Sequence, residues 1–256
     1  HRDLHSFPTR RSSDLNMILE YLDERKQKVL QIIIEDYVNS AEPIGSKAVT
    51  EKHNIEASPA TIRFDMADLE KKGFIKKPHT SAGRIPSDKG YRFFIDEIME
   101  IEDLARKEAE LIRTKIQKTE RDRLLEIVGN MLSDLSGNTS VVITSDRHNN
   151  IYVCGISRML RQPEFNLSEQ ICDVVETIEQ HSSISNVLNE YVEESEALSV
   201  HVGEENRQKA LKKCSIAAVP FKGRGIISIV GPTRMDYKKV SAVLKYFAEL
   251  LEETNL

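Results

Sequence analysis

The feature that most constrains this chain is a short capped helix that is followed at once by a strand–turn–strand segment. Ser58 and Pro59 mark the helix start, because serine is a favoured N-cap and proline fits the first helical position. The apolar residues Ile62, Met66 and Leu69 fall on one stripe at helical spacing. This pattern predicts one buried face and, opposite it, a face that is open to a partner.

Two further helices are predicted before this one. The apolar spacing over residues 22–37 indicates a supporting helix, which ends at the breaker cluster 42–45. Ser46 then caps a short helix from Lys47 to about Lys52. Two short helices that follow a longer supporting helix predict a helix-turn-helix.

The segment after the capped helix predicts a basic β-hairpin. The predicted hairpin has its first strand at residues 74–78, its turn at 79–83 and its second strand at 84–86. Ser87 is predicted to cap the next helix. Residues 71–92 hold seven lysines and arginines against one aspartate, a net charge of +6. Such a cluster beside a helix-turn-helix is typical of a surface that follows phosphates, although a charge run can also be an ordinary solvated face.

We expect DNA contacts on the open side of the capped helix, on the short helix before it and along the hairpin. Small side chains let a helix approach the major groove, arginine can donate to guanine or phosphate, and apolar groups can meet a thymine methyl. The predicted contact residues are Ser46, Lys47, Ser58, Ala60, Thr61, Arg63, Phe64, Lys71, Lys76, Lys77, His79, Thr80, Ser81, Arg84 and Lys89.

The same region resembles one known family over a long ordered string. Residues 58–63 are SPATIR, 65–70 are DMADLE, and 78–92 are PHTSAGRIPSDKGYR. This string is similar to the bacterial heat-inducible transcription repressor family HrcA, and EPIGS at 42–46 also matches. The resemblance implies a winged-helix repressor that binds an inverted repeat, called CIRCE, ahead of chaperone operons. It also implies the GroE chaperonin as a partner on which the active form depends.

Two departures from the family matter for function. Phe64 stands where the family usually has asparagine, which can hydrogen-bond adenine whereas phenylalanine cannot, so we expect a changed operator. Typical members also carry an inserted dimerising domain between the segments that match Val141–Thr144 and Gly155–Phe165, and those segments are ten residues apart here. The chain therefore resembles a short form in which any dimer must use the remaining domains.

The rest of the chain predicts a helical connection and a mixed domain. Residues 96–136 indicate one long or once-broken helix whose apolar stripe is typical either of a coiled-coil seam or of packing on its own domain. We favour packing with partial dimer contact. Beyond it, strands interleaved with helices and a closing hairpin predict an α+β domain, which resembles the family's GAF-like domain.

The expected fold class is therefore α+β and multidomain. A winged helix-turn-helix spans 17–95, a connecting helix 96–136 and a GAF-like α+β domain for regulation or dimerisation 137–256. Residues 1–16 show no helical or strand period and resemble a translated sequencing adaptor. We expect them to be a disordered scar outside the fold, and the alternative is a disordered basic arm that reaches into a DNA groove.

The charge distribution and the motifs of the chain exclude several classes of function. The net charge of −5 divides into +2 over residues 1–95 and −7 over 96–256, so the acidic total does not argue against DNA. No apolar run approaches the ~18–20 residues that cross a bilayer, so we expect no membrane contact. Three widely spaced cysteines predict reduced thiols in the cytoplasm, and seven dispersed histidines give no metal-ligand spacing. Without a catalytic motif, we expect neither an enzyme nor a cofactor.

The sequence thus predicts a repressor of heat-shock genes that binds double-stranded DNA as a homodimer and blocks transcription. One alternative is a ligand-sensing module in which the GAF-like domain binds a small molecule and the winged helix mediates protein contacts. A purely structural or adaptor role is a third possibility.

Overall fold

The computed structural model describes residues 22–53, 55–80, 82–145, 150–165, 170–193, 197–221 and 224–254, and the chain forms two compact units, His1–Met99 and Glu100–Leu256. The predicted scar and the contact candidate Ser81 lie outside the described residues. For the mixed domain the sequence also predicts a polar turn over 145–150, a helix cap at Ser168 and a hairpin turn at 222–224. Most of the first turn, the cap and part of the second turn lie outside the described residues as well.

The first unit contains the predicted helices and hairpin in the predicted order. Its elements are α1 (Glu24–Ser40), α2 (Ser46–His53), α3 (Pro59–Lys71), β1 (Ile75–Lys76), β2 (Ile85–Pro86) and α4 (Asp88–Phe93), which continues as a π-helical turn, Phe94–Ile98. Side-chain caps set the starts of three helices. Asp23, Ser58 and Ser87 accept hydrogen bonds from the backbone N–H groups three residues further on.

A single apolar core holds this unit together. It is formed by the inner faces of α1 and α3, by β1 and by the helix after the hairpin. The buried side chains include Val29, Leu30, Ile33, Ile62, Met66, Leu69, Phe74, Ile75, Tyr91, Phe94 and Ile95. Because α3 contributes its whole predicted stripe to this core, the stripe fixes which side of α3 faces water.

The hairpin is joined to the loop before α2. Strands β1 and β2 pair antiparallel, with Ile75 opposite Pro86. The backbone of Arg84 also exchanges two 2.8 Å hydrogen bonds with Ile44. A Cβ atom on Gly83 would lie 2.6 Å from the Ile44 carbonyl, so only glycine allows this approach.

The second unit is a five-stranded antiparallel sheet covered by helices. Its strands are β3 (Thr139–Thr144), β4 (Ile151–Cys154), β5 (Ser199–Val202), β6 (Cys214–Pro220) and β7 (Gly225–Pro232), in the order β4-β3-β7-β6-β5. Its helices are α5 (Arg106–Gln117), α6 (Leu124–Ser136), α7 (Ile156–Met159), α8 (Gln170–Glu179), α9 (His181–Glu193) and α10 (Tyr237–Glu253). Short 3-10 turns lie at Arg121–Arg123, Pro163–Phe165, Gly203–Glu205 and Lys209–Lys213.

The sheet carries helices on both faces. Helices α8 and α9 enclose an apolar core with Val141, Ile216 and Val230 of the sheet. Helices α6 and α10 pack against the sheet and each other, and Gly129 of α6 lies against Val142. The α+β prediction is confirmed for this unit.

The prediction of one long or once-broken helix over 96–136 is wrong. The π-helical turn ends at Ile98, α5 starts only at Arg106, and a second break separates α5 from α6. Residues 117–123 are all polar, so this stretch has no apolar side chain with which to continue a buried stripe. Packing of the stripe on the same chain is observed for α5. Ile112 and Ile116 are buried, and the Ala109 carbonyl accepts a hydrogen bond from Tyr246 Oη at 2.8 Å.

Candidate nucleic-acid interface

Helix α3 separates cleanly into a buried face and an exposed face. The predicted stripe is at most 3% exposed. The opposite side is open to solvent along the length of the helix, and its exposed residues are Ala60, Arg63, Phe64, Ala67 and Lys71. The predicted division of α3 into a buried stripe and an open face is confirmed. Phe64 is the most prominent residue of the open face, with 77% of its surface exposed.

An ion pair fixes α3 against α1. Arg25 Nε donates to Asp65 Oδ2 at 2.7 Å, and Arg25 Nη2 donates to Asp65 Oδ1 at 3.0 Å. The Asp65 side chain is only 5% exposed, and its hydrogen bonds raise the pKa of Arg25. A two-point contact of this kind restricts rotation as well as translation of the helix. Asp65 was not among the residues predicted to matter. Its position three residues after Ile62 and four before Leu69 puts it on the buried stripe, where a carboxylate needs a cation.

The first turn of α3 is closed by its own cap. Ser58 Oγ accepts from the Thr61 N–H at 3.1 Å and lies 3.0 Å from Thr61 Oγ1. Both residues were predicted to contact DNA, and in the structure their hydroxyl groups also hold the helix start. The adjacent exposed Ala60 leaves this end of the helix without a bulky side chain.

Four lysines of the basic cluster are exposed, and three of them lie at the end of α3 and along the hairpin. Lys71 lies at the end of α3, Lys76 in β1 and Lys77 just after it, and all three are exposed. Within the described ranges none of the three has an ion-pair partner. His79 and Thr80, at the hairpin turn, are exposed as well. This surface combines exposed positive charge with an adjoining open helix face.

The other four cations of residues 71–92 are used inside the unit. Lys72 pairs with Asp68 at 3.6 Å, and Arg92 pairs with Asp96 at 3.1 Å. Arg84, only 15% exposed, donates to Glu70 at 2.9 Å. The +6 of the sequence therefore overstates the charge that is open to a ligand.

Lys89 joins α4 to the end of α3. Its Nζ donates to the Lys72 carbonyl at 2.8 Å and lies 4.5 Å from the centre of the Phe74 ring. Together with Arg84, it holds the hairpin region to the helices. We predicted both as DNA contacts from their charge, and the structure gives each of them an internal partner that sequence spacing does not reveal.

The remaining candidates lie on α2. Ser46 is its half-buried first residue, and Lys47 is exposed and 3.6 Å from Glu51 one turn away. An exposed pair at this spacing contributes only a few tenths of a kcal/mol, so Lys47 can turn to another anion.

The second unit offers no comparable site in its described portion. No group of three or more histidine, cysteine or acidic residues is placed to hold a metal ion there, and no helix is long and apolar enough to cross a membrane. The three cysteines are free thiols. Burial raises the pKa of Cys214 to about 12 and that of Cys154 above its usual range, so both stay protonated and unreactive at neutral pH.

An exposed helix face beside a basic hairpin is typical of a DNA-binding transcription regulator. The family model described as HrcA protein C terminal domain matches residues 97–240, more than half of the chain. The chain belongs to the HrcA family of heat-inducible transcription repressors.

Relatives described as heat-inducible transcription repressors match the chain over both units. The heat-inducible transcription repressor HrcA of Pelotomaculum thermopropionicum is 29% identical over 336 aligned positions, which include 91% of this chain and 96% of the relative. The heat-inducible transcription repressor HrcA of Symbiobacterium thermophilum is 30% identical, and the match covers 91% of this chain and 99% of that relative. Since 91% of 256 residues is about 233, about a hundred of the 336 positions have no counterpart here. The relatives are thus longer within the matched span, as a short form requires.

The fold has a solved counterpart. A crystal structure described as that of a hypothetical protein superimposes with a TM-score of 0.71 at 20% identity, and the match covers 91% of this chain and 98% of the other. At that identity the likeness concerns the fold alone.

Proposed function

We propose that the chain is a sequence-specific repressor in which α3 enters the major groove and the β1–β2 hairpin acts as the wing of a winged helix-turn-helix. The observation that carries this proposal is the exposed face of α3, with Arg63 at its centre, beside three lysines that lack ion-pair partners among the described residues. Membership of a repressor family supports the same conclusion. The target is an inverted-repeat, CIRCE-like operator ahead of chaperone genes, and occupancy of that operator blocks transcription.

The residues divide by role. Arg63 reads a base edge, because the guanidinium group can donate two hydrogen bonds to guanine. Lys71, Lys76 and Lys77 contact phosphates and supply affinity that does not depend on sequence. His79 and Thr80 lie along the backbone at the wing. The first turn of α3 and the start of α2 set the distance of approach.

The repressor works as a homodimer, because an inverted repeat has the two-fold symmetry of a protein dimer. The second unit, which we propose is GAF-like, supplies regulation and dimer contacts. The apolar core that α8 and α9 enclose is built from side chains of the sheet and of these helices.

A titration on defined DNA tests the proposal. The full chain is mixed with a CIRCE-like inverted-repeat duplex and with a duplex of scrambled sequence, at one salt concentration, and Kd is measured by gel shift. We expect binding to the inverted repeat to be at least ~10³-fold tighter, as for specific repressors in general. Equal, weak binding to both duplexes would show that the chain does not read an operator of this type.

Dependence on the GroE chaperonin extends the proposal from the family to this chain. The chain would act in the bacterial cytoplasm, and its active fraction would rise when chaperonin is free. Refolding of the denatured chain with and without chaperonin, with operator binding as the readout, tests this link. We expect more active repressor with chaperonin, and an equal active fraction in both samples would contradict it.

A further inference from the structure

Phe64 has no role in the contacts described so far. Its side chain is 77% exposed, and it is the only aromatic residue among the large hydrophobic side chains that are exposed in the described part of the chain. A phenylalanine ring presents one of the largest apolar surfaces of any side chain. A partner that covers this ring would therefore gain binding free energy from the water that it displaces.

Helix geometry puts the ring in the middle of the contact face. Ala60 lies one turn before Phe64 and Ala67 almost one turn after it, and both are exposed. Since alanine has only a methyl group, neither neighbour covers the ring or holds the helix away from a groove. Phe64 also follows Arg63 directly, in the half of the helix that meets base edges in this class of protein.

The backbone under the ring is fixed before DNA binds. The next residue, Asp65, makes two hydrogen bonds to Arg25, and the one after it, Met66, is 3% exposed. Little conformational entropy beyond that of the ring's own two rotatable bonds is lost on binding. A rigidly placed apolar group is suited to discriminating between partners.

Resting on the proposed function, we propose that Phe64 is a specificity-determining residue that selects one thymine in each operator half-site through its C5-methyl group. The phenylalanine side chain has no atom that forms a hydrogen bond, so it cannot recognise the donors and acceptors of a base edge. The apolar group that the major groove does present is the thymine methyl. The neighbouring lysines supply the charge that brings DNA to this face.

Replacing thymine by uracil removes only that methyl group and tests the contact. The full chain first selects its operator from a random duplex pool, and each thymine is then replaced in turn by deoxyuridine. For the wild-type protein we expect one thymine per half-site to matter, with affinity lower by about fourfold for each. Phe64→Ala should bind the thymine operator at least as weakly as the wild type binds the uracil operator, because it loses the whole ring rather than one methyl contact. Replacing thymine by uracil should then lower its affinity no further.

Two further variants separate apolar contact from side-chain size. Phe64→Leu keeps an apolar group and should keep part of the sensitivity to uracil, whereas Phe64→Asn should lose it. All variants should unfold at the wild-type temperature, because the side chain is exposed. The inference is overturned if no thymine responds, or if Phe64→Ala or Phe64→Asn responds as the wild type does. A selection that yields no inverted repeat overturns the proposed function itself, before any uracil is introduced.

Discussion

The two faces of α3 differ in what holds each side chain. On the inner face Ile62 and Leu69 are fully buried, and Asp65 is held by Arg25. On the outer face Arg63 and Phe64 are exposed to solvent. The two faces of this 13-residue helix therefore have different roles. The inner face stabilises the fold of the first unit, and the outer face is available to a ligand.

The largest effect is expected on the inner face. Ile62→Ala removes a side chain with no exposed surface and leaves a cavity, so the free energy of unfolding should fall by about 2–5 kcal/mol. Arg63→Ala, one residue away on the outer face, is the matched control and should change stability by less than about 0.5 kcal/mol. Urea denaturation measures both, and equal losses would show that the faces are not separated.

The Arg25–Asp65 pair is expected to rank second. Asp65→Asn keeps the shape of the side chain but removes its charge, and hydrogen bonds to a charged group are worth about 1.5–3 kcal/mol. Because Arg25 is half exposed, we expect a value near the lower end of that range. A double-mutant cycle with Arg25→Ala isolates the coupling between the two side chains. A coupling near zero would mean that the pair does not fix α3.

On the outer face, Arg63→Ala should reduce discrimination rather than stability. If Arg63 contacts a base, the preference for the operator over scrambled DNA should shrink by about 1–3 kcal/mol. Gel-shift titrations on both duplexes measure this preference. An unchanged preference would remove Arg63 from the set of base-reading residues.

Replacing one of the exposed lysines should have a smaller effect on DNA affinity, and the size of this effect should depend on the salt concentration. Lys77→Ala should weaken binding to all DNA alike, and the slope of log affinity against log salt should become shallower by about 0.9. Lys89→Ala is the matched control, because Lys89 already donates to the Lys72 carbonyl. Its slope should stay near that of the wild type. The same change of slope in both variants would contradict the division of the cluster into open and internally used cations.

The smallest effect concerns Asp23, the cap of the helix that α3 packs against. Hydrogen bonds from Lys26 lower the pKa of this carboxyl group, so it is charged in the folded state at pH values where it is protonated when unfolded. Its stabilising contribution is complete above the ordinary aspartate pKa of about 3.9 and is lost as the pH falls through the folded-state pKa. The gap in stability between wild type and Asp23→Asn should therefore narrow in acid. Urea denaturation at stepped pH values measures the gap, and a constant gap would contradict the assignment.

The sequence predicted the elements of the first unit well, because local signals determine them. Ser58 and Pro59 set the start of α3, and the apolar period alone was enough to identify its buried face. The interpretation of the basic cluster was less complete. Arg84 and Lys89 carry the same charge as Lys77, and only the folded chain brings Glu70 and the Lys72 carbonyl to them.

The helical connection predicted over residues 96–136 shows the same limit of prediction from sequence. The apolar stripe over 96–136 has a consistent period, but the period does not say where a helix ends and the next one begins. The polar run at 117–123 marked one break. The other, between Ile98 and Arg106, coincides with the boundary between the two units, which depends on tertiary contacts.

Parallel selections from a random duplex pool test the central claim most directly. One uses the wild-type chain, and the other uses a chain with Arg63→Ala and Phe64→Ala, whose stability should match because both side chains are exposed. The account predicts that the wild type enriches an inverted repeat and that the variant, although folded and still able to bind DNA through its lysines, enriches none. Enrichment of the same repeat by both chains would contradict the assignment of the outer face of α3 as the surface that reads sequence.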